Sequence, residues 1–285
     1  MNQVAYAAPA KLSEVVALLT ENPGSRVLAG GQSLLVEPSR RQLSGSLLVD
    51  LRKVPGMAGI EAKDGGLRIG AMTTIGAIAS SELVHKTCPI LSSAAGLVGD
   101  AQVRNRGTIG GAIVEADPGS DLIPVLMVLD AVLDIASPKL RQVPLNDLFA
   151  EQKEKLLSAT EVITAVTIPR AASSTGAIYE KMKHWATLYA LCGVAAAVTL
   201  SSDGSITKCR IAVTGSTEHP LRLKEVEAAL IGHPLSDESL GKATSFIDGR
   251  FAYRGDPYAS GEYRQHLTRV LTGRAVRRAV ASAAQ

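Results

Sequence analysis

Two glycine-rich segments carry residue types that can bind an anionic ligand. The first, AGGQSL, spans residues 29–34, and the second, TIGGA, spans residues 108–112. Glycine has no Cβ atom, so it lets the backbone turn sharply and approach a ligand closely. The backbone N–H groups exposed in this way, with hydroxyl groups nearby, can line a concave site for anionic oxygens. A glycine-capped turn would explain either segment alone, but the two together predict a ligand with two phosphates held between them.

Neither segment fits a common nucleotide-binding or hydrolytic motif. The chain has no G-x-G-x-x-G and no G-x-x-x-x-G-K-[ST], which disfavours a Rossmann or P-loop site. It has no G-x-S-x-G, so Ser33 is not the nucleophile of a hydrolase elbow. The histidines are dispersed, and the three cysteines match no zinc or iron–sulfur spacing. We therefore predict no catalytic residue and no metal ligand on this chain.

Carboxylates follow the second segment in the stretch EADPGSDL, residues 115–122. Asp117 or Ser120 could cap a helix that begins near Leu122. Asp121 could instead accept hydrogen bonds from the hydroxyls of a ribose or ribitol. The two interpretations are compatible.

Composition limits the classes of partner. A net charge of +3 on 285 residues gives no reason to expect a nucleic acid or an acidic membrane surface. The most apolar stretch, residues 122–136, contains Asp130 and Asp134 and is shorter than the roughly 20 residues that span a bilayer. The N-terminus has no signal-peptide pattern. We expect no membrane span and, from an odd number of cysteines, a reducing, cytoplasmic location.

Apolar spacing predicts the secondary-structure elements around these segments. Helices are predicted at 12–19, 74–80, 90–98 and 122–129, and strands at 26–29, 46–51, 131–136 and 161–168. A hairpin is predicted over 59–71, with its turn at Asp64-Gly65-Gly66. After an aperiodic stretch at 170–176, strands at 177–183, 190–200 and 206–213 precede helices at 223–231, 238–247 and 263–280. Strands followed by helices favour an α+β domain.

The pairing of AGGQSL with RNRGTIGGAI…ADPGSDL closely resembles the FAD-binding medium subunit of the molybdenum hydroxylases. That family includes carbon monoxide dehydrogenase and the flavin domain of xanthine dehydrogenase. The resemblance runs nearly end to end, through VDLR at 49–52, IGAMTT at 69–74, PLR at 220–222 and YASGEYRQHLTRVL at 258–271.

The resemblance implies an α+β protein with three lobes. Two α/β subdomains would form an FAD-binding region of the vanillyl-alcohol-oxidase-like (PCMH) type. A C-terminal α+β domain, with a three-stranded antiparallel sheet and helices, would close over the flavin. The FAD-binding region would span 1–172, with subdomains at about 1–55 and 56–172, and the C-terminal domain would span 177–285.

The resemblance also implies cofactor-binding residues. Ala29, Gly30, Gly31, Gln32, Ser33 and Leu34 would wrap the FAD pyrophosphate through backbone N–H groups. Thr108, Gly110 and Gly111 would contact the diphosphate and ribityl region, and Asp121 would bind hydroxyls of the adenosine or ribityl part. Lys181 would approach the isoalloxazine, where a cation favours an anionic reduced flavin. The alternative for Lys181 is a solvated strand residue.

Two positions depart from the family pattern. Ala112 is the twelfth residue expected to contact the cofactor, but it stands where the family has asparagine, so one hydrogen bond worth about 1 kcal/mol would be absent. After Lys181 the family has two arginines and an aspartate, whereas residues 183–188 here read KHWATL. Trp185 in that stretch could stack near the flavin or pack in the core.

The function implied is that of an electron-transfer flavoprotein subunit. Its partners would be a large molybdenum-cofactor subunit and a small [2Fe–2S] subunit, in a dimer of heterotrimers. Electrons would pass from the small subunit to this FAD and on to an external acceptor. A stand-alone FAD oxidase or dehydrogenase, and a flavin-free binding module on the same fold, are the alternatives. The organic substrate and the acceptor stay open.

Overall fold

A small parallel sheet lies at the N-terminal end of the chain. The computed structural model describes residues 4–36, 43, 46–137, 139–149, 157–249 and 251–284. The sheet comprises β1 (Ala5–Ala7), β2 (Arg26–Leu28) and β3 (Leu47–Asp50), in the order β1-β3-β2. Helix α1 (Leu12–Glu21) connects β1 to β2 and buries Val15 and Leu19, one helical turn apart. The predicted helix and the two predicted strands are confirmed.

A second sheet has five antiparallel strands. They are β4 (Ile60–Lys63), β5 (Gly66–Gly70), β6 (Val132–Ala136), β7 (Arg141–Pro144) and β8 (Val162–Ile168), in the order β4-β5-β8-β6-β7. The predicted hairpin is confirmed, since β4 pairs with β5 around Asp64 and Gly65, which both have positive φ. Every pairing is antiparallel, which refines the α/β description implied for this subdomain.

A block of helices separates β5 from β6. It contains α2 (Ile75–Ser80), α3 (Glu82–Thr87), α4 (Pro89–Gly96), α5 (Ala101–Arg106), α6 (Ile109–Glu115) and α7 (Leu122–Val128). The predictions for α2, α4 and α7 are confirmed. Helices α3, α5 and α6 were not predicted, nor was α8 (Leu145–Leu148), which follows β7. Helix α5 buries no side chain and so has no apolar periodicity to detect.

The C-terminal sheet has four antiparallel strands rather than three. They are β9 (Thr175–Lys183), β10 (Ala190–Leu200), β11 (Ile206–Thr214) and β12 (Leu221–Arg222), in the order β12-β11-β10-β9. The three long strands are as predicted, and β12 is too short to have an apolar pattern. Helices α9 (Lys224–Leu230), α10 (Asp237–Thr244) and α11 (Gly261–Ala283) follow, as predicted.

Strand β10 is buried on both faces, which joins the C-terminal sheet to the rest of the protein. Val194 and Val198 belong to a core shared with α11, whereas Ala195 and Ala197 belong to the core that contains α7. Alternate residues of a strand point to opposite faces, so Ala195 and Ala197 face the α7 side and Val194 and Val198 face the α11 side. None of the helices in the described part of the chain is long and apolar enough to cross a membrane.

Candidate functional site

A cleft of about 480 Å³ lies where the two glycine-rich segments meet. Its volume is within the range of about 300–1,000 Å³ typical of ligand pockets. Eleven of the twelve predicted binding residues line it: Ala29, Gly30, Gly31, Gln32, Ser33, Leu34, Thr108, Gly110, Gly111, Ala112 and Asp121. Lys181 is the one that is not among the lining residues.

The first segment follows β2 and contacts the chain that leads into the second. Gly31 has a φ of +76°, which favours glycine. A Cβ atom on Gly30 would lie 1.9 Å from the carbonyl oxygen of Arg106, so only glycine fits there without a backbone shift. The first segment is therefore packed backbone to backbone against Arg106 and Gly107, immediately before the second segment.

The backbone N–H groups of residues 30–34 are available as donors. Within the described part of the chain, none of them donates a hydrogen bond, although the Gly31 carbonyl accepts one from Leu35 N–H at 3.2 Å. These N–H groups belong to consecutive residues that line one cleft. They form the set of donors that an anionic ligand would need.

The second segment forms the first turn of helix α6, where the apolar spacing predicted no helix. Thr108 caps this helix, and its Oγ1 accepts a hydrogen bond from Gly111 N–H at 3.2 Å. The N–H groups of Ile109 and Gly110 donate to the carbonyls of Thr73 and Ala71, at 3.1 and 2.9 Å. The N–H groups of residues 109–112 are thus already paired. The segment offers a ligand the Thr108 hydroxyl and the backbone of Gly111, whereas the missing Cβ of Gly110 makes room for Ala71.

Acidic side chains outnumber basic ones around the cleft. Arg26 is the only cation among the described lining residues, which include Glu115, Asp117, Asp121 and Glu161. Burial, and then the Asp117 charge, raise the pKa of Glu115, and Arg26 opposes them. A phosphate here would have to be bound chiefly by backbone N–H groups.

Asp117 and Glu161 are bonded to other groups of the protein near the cleft. Asp117 Oδ1 accepts a hydrogen bond from Gly119 N–H at 2.7 Å. Glu161 accepts two from the guanidinium of Arg141, at 2.7 and 3.0 Å, which lower its pKa. Both groups therefore shape the cleft wall.

Asp121 is held by two residues of β9. Its Oδ2 lies 2.7 Å from Lys181 Nζ, and its Oδ1 accepts a hydrogen bond from Tyr179 Oη at 2.6 Å. Burial raises the pKa of Asp121, and Lys181 and Tyr179 work against that rise. Burial, followed by the Asp121 charge, raises the pKa of Tyr179 well above its usual range.

Lys181 is a buried partner of Asp121. The Lys181 side chain is only 4% exposed, and its ammonium also donates to the carbonyl of Leu97 at 3.0 Å. The alternative of a solvated strand residue is therefore wrong. Its predicted approach to the flavin stays a prediction. The ammonium contacts Asp121, which lines the cleft, but Lys181 itself is not among the lining residues.

The loop between β9 and β10 contributes lining residues that the sequence did not indicate. Thr187, Leu188 and Tyr189 line the cleft, and Leu188 has a φ of 61°. A Cβ atom on Gly119 would lie 3.2 Å from the Tyr189 ring, so the ring packs against that glycine. A single tyrosine before an apolar strand gives no distinctive signal in a sequence.

Trp185 in the same loop is 79% exposed, so the alternative that it packs in the core is wrong. It stacks on His184, with ring centroids 5.9 Å apart, and is not among the cleft-lining residues. Its predicted stacking on the flavin stays a prediction.

Comparison with protein families matches nearly the whole chain. Residues 2–171 match the FAD binding domain in molybdopterin dehydrogenase. Residues 177–279 match the CO dehydrogenase flavoprotein C-terminal domain.

Individual proteins are similar over the same length. The chain is 33% identical over 262 residues to the alpha subunit of the 6-hydroxypseudooxynicotine dehydrogenase complex of Paenarthrobacter nicotinovorans, covering 90% of this chain and 87% of the relative. It is 32% identical over 280 residues to the carbon monoxide dehydrogenase medium chain of Afipia carboxidovorans, covering 98% and 97%. Among solved structures, carbon monoxide dehydrogenase from Hydrogenophaga pseudoflava superposes with a TM-score of 0.92 at 33% identity, covering 98% of each chain.

Proposed function

Because the chain belongs to the family of FAD-binding subunits of molybdopterin dehydrogenases, it is an FAD-binding subunit of an oxidoreductase, and we propose that it holds the flavin in the cleft between residues 29–34 and 108–112. The observation that carries this proposal is the row of backbone N–H groups at residues 30–34, which donate to no acceptor among the residues that the structure describes. A diphosphate needs several donors, and the lining residues that are described include only one cation, Arg26.

The residues present fit the parts of FAD in different ways. The N–H groups of residues 29–34 would bind the pyrophosphate. The Thr108 hydroxyl would donate to the diphosphate or ribityl region, and Gly110 and Gly111 would let that region approach their backbone. Ala112 would present only a methyl group there.

Asp121 keeps hydrogen-bonding capacity in spite of its two protein partners. A carboxylate has about four acceptor positions, of which Tyr179 and Lys181 use two. We propose that the remaining positions accept hydroxyls of the adenosine or ribityl part. Lys181 would then act through Asp121, by keeping that carboxylate ionised and in a fixed orientation.

We place the chain between a small [2Fe–2S] subunit, which delivers electrons, and an external acceptor, which takes them. When bound, the flavin supplies the redox chemistry, since it can take up and release electrons. A large molybdenum-cofactor subunit would complete a heterotrimer, and two heterotrimers would form a dimer. Relatives described as a medium chain and as a subunit of a dehydrogenase complex support a multi-subunit assembly.

We further propose the division into an FAD-binding region at 1–172, with subdomains at about 1–55 and 56–172, and a C-terminal domain at 177–285. The two family matches, at 2–171 and 177–279, support it. A reducing, cytoplasmic location is also part of the proposal, and the free, buried thiols of Cys88, Cys192 and Cys209 support it.

The test is a visible spectrum and a flavin assay of the full-length chain, purified alone and with its partner subunits. We expect a yellow protein with one FAD per chain that oxidises no organic substrate by itself. A colourless chain that cannot be reconstituted with FAD would support the flavin-free binding module. Turnover of a substrate without partners would support the stand-alone oxidase or dehydrogenase.

A further inference from the structure

Arg264, on the long C-terminal helix α11, joins three separate parts of the C-terminal domain. Its side chain is 4% exposed. One guanidinium nitrogen, Nη1, donates to the carbonyls of Leu191 and Gly215, at 2.7 and 2.6 Å. The other, Nη2, pairs with the carboxylate of Asp256. The buried cation therefore fixes the start of β10 relative to the turn that follows β11.

Gly215, and Ala190 beside Leu191, both donate backbone hydrogen bonds to the wall of the cleft. Gly215 N–H and Thr214 Oγ1 donate to the carbonyl of Pro118, at 2.5 and 2.6 Å. Ala190 N–H, next to Leu191, lies 3.5 Å from the carbonyl of Gly119. The cleft wall at residues 117–121 is thus attached to the C-terminal domain through backbone hydrogen bonds.

Gly215 is tightly packed against the start of β10. Gly215 has a φ of +79°, and a Cβ atom there would lie 2.3 Å from the carbonyl oxygen of Ala190. Densely packed groups transmit displacements to their neighbours. A shift of Gly215 would therefore move Pro118, and a shift of Leu191 would move Tyr189, which lines the cleft two residues earlier.

We propose that Arg264 is a positioning residue for the flavin, acting from outside the cleft. It is not among the lining residues, but it fixes the backbone that supports residues 117–121 and Tyr189. This inference rests on the proposed function, because it assumes that FAD occupies this cleft. If the role of Arg264 were purely structural, its replacement would lower the stability of the protein and leave the affinity of the folded protein for FAD unchanged.

The test compares R264M and R264K with R277M in the full-length chain. Arg277 lies on the same helix, and its contact with Asp237 is exposed at both ends, so R277M is a matched control. The measurements are the dissociation constant of FAD, the visible circular dichroism of the bound flavin, and the melting temperature of the apoprotein. Binding is measured at a temperature where every variant is folded.

For R264M we expect a dissociation constant raised about tenfold or more and an altered flavin spectrum. R264K keeps the charge but lacks the planar guanidinium group that reaches three acceptors. For R264K we therefore expect a dissociation constant between those of the wild type and R264M. R277M should match the wild type. A folded R264M with wild-type affinity and spectrum would overturn the inference, even if its melting temperature fell. If R264M does not fold, wild-type affinity and spectrum in R264K would overturn it. Failure of the wild type to bind FAD would instead refute the proposed function.

Discussion

The ammonium of Lys181 lies 2.7 Å from Asp121 Oδ2, and each of the two side chains is only 4% exposed. Asp121 immediately precedes helix α7, and Lys181 lies on β9, the first strand of the C-terminal sheet. The ion pair therefore connects the two halves of the chain at the edge of the cleft. Removing one partner of a buried pair leaves the other charge uncompensated, which is strongly destabilising.

The variant K181M should lower the free energy of unfolding by about 3 kcal/mol near neutral pH. Burial already raises the pKa of Asp121, and without Lys181 it should rise further. In the unfolded chain Asp121 ionises near pH 4, whereas the folded variant would resist ionisation. The folded state therefore loses stability as the pH rises above that value. We expect a larger loss at pH 8 than at pH 5, measured by denaturant unfolding of the apoprotein.

The matched control for that variant is K183M, which removes an exposed lysine of the same strand and should be neutral. The double variant D121N/K181M should lose little more stability at pH 8 than at pH 5, because it lacks the buried carboxylate that causes the pH dependence. Equal losses for K181M at pH 5 and pH 8 would contradict the role assigned to the pair.

The variant G30A should weaken FAD binding by about a hundredfold, a loss of roughly 2.7 kcal/mol. Its Cβ atom would lie 1.9 Å from the Arg106 carbonyl oxygen, so the first segment would have to move away from the chain that leads into the second. Fluorescence titration with FAD measures the effect. The control is G241A, on the exposed face of α10, where a Cβ atom meets nothing within 4 Å. That change should stabilise the protein by about 0.5–1 kcal/mol without affecting FAD. Equal affinities for G30A and the wild type would refute the close packing proposed for the cleft.

The variant A112N should tighten FAD binding by about 1 kcal/mol, or roughly fivefold, by restoring a side-chain hydrogen bond. Ala112 lines the cleft, so a longer side chain there would face the ligand region. A112L is the control, because leucine has a similar shape but no amide. The same affinity for both variants would mean that no hydrogen bond forms at this position.

All three thiols should be unreactive in the folded protein. Burial raises the pKa of Cys88 and Cys192 to about 11 and that of Cys209 to about 12. The thiolate is the reactive form, so at pH 8 a thiol-specific disulfide reagent should react slowly with native protein and quickly with all three thiols in denaturant. Rapid reaction of one thiol in the native protein would contradict its burial.

The sequence was sufficient to predict elements with strong local signals. The Asp64-Gly65 hairpin and the long strands β10 and β11 were predictable because turn chemistry and apolar runs are encoded locally. Convergence of the two glycine-rich segments was also predictable from their matching composition. Helix α6 was missed, because consecutive glycines argue against a helix and only the Thr108 cap favours one.

Contacts between distant residues could not be read in the same way. The pairing of Lys181 with Asp121 and the link from Arg264 through Gly215 to Pro118 depend on how the C-terminal sheet packs against α7. Neither has a local pattern, since each joins residues tens of positions apart. Sequence therefore indicated which residues surround the cleft better than it indicated what holds them there.

Backbone amide hydrogen exchange, with and without FAD, tests the proposed site most directly. Residues 30–34 have N–H groups with no acceptor among the described residues, whereas those of Ile109, Gly110 and Gly111 are already bonded. If the first segment binds the diphosphate, exchange at residues 30–34 should slow markedly when FAD binds, and exchange at 109–111 should change little. Unchanged exchange at residues 30–34 in an FAD-saturated protein would contradict the proposed site.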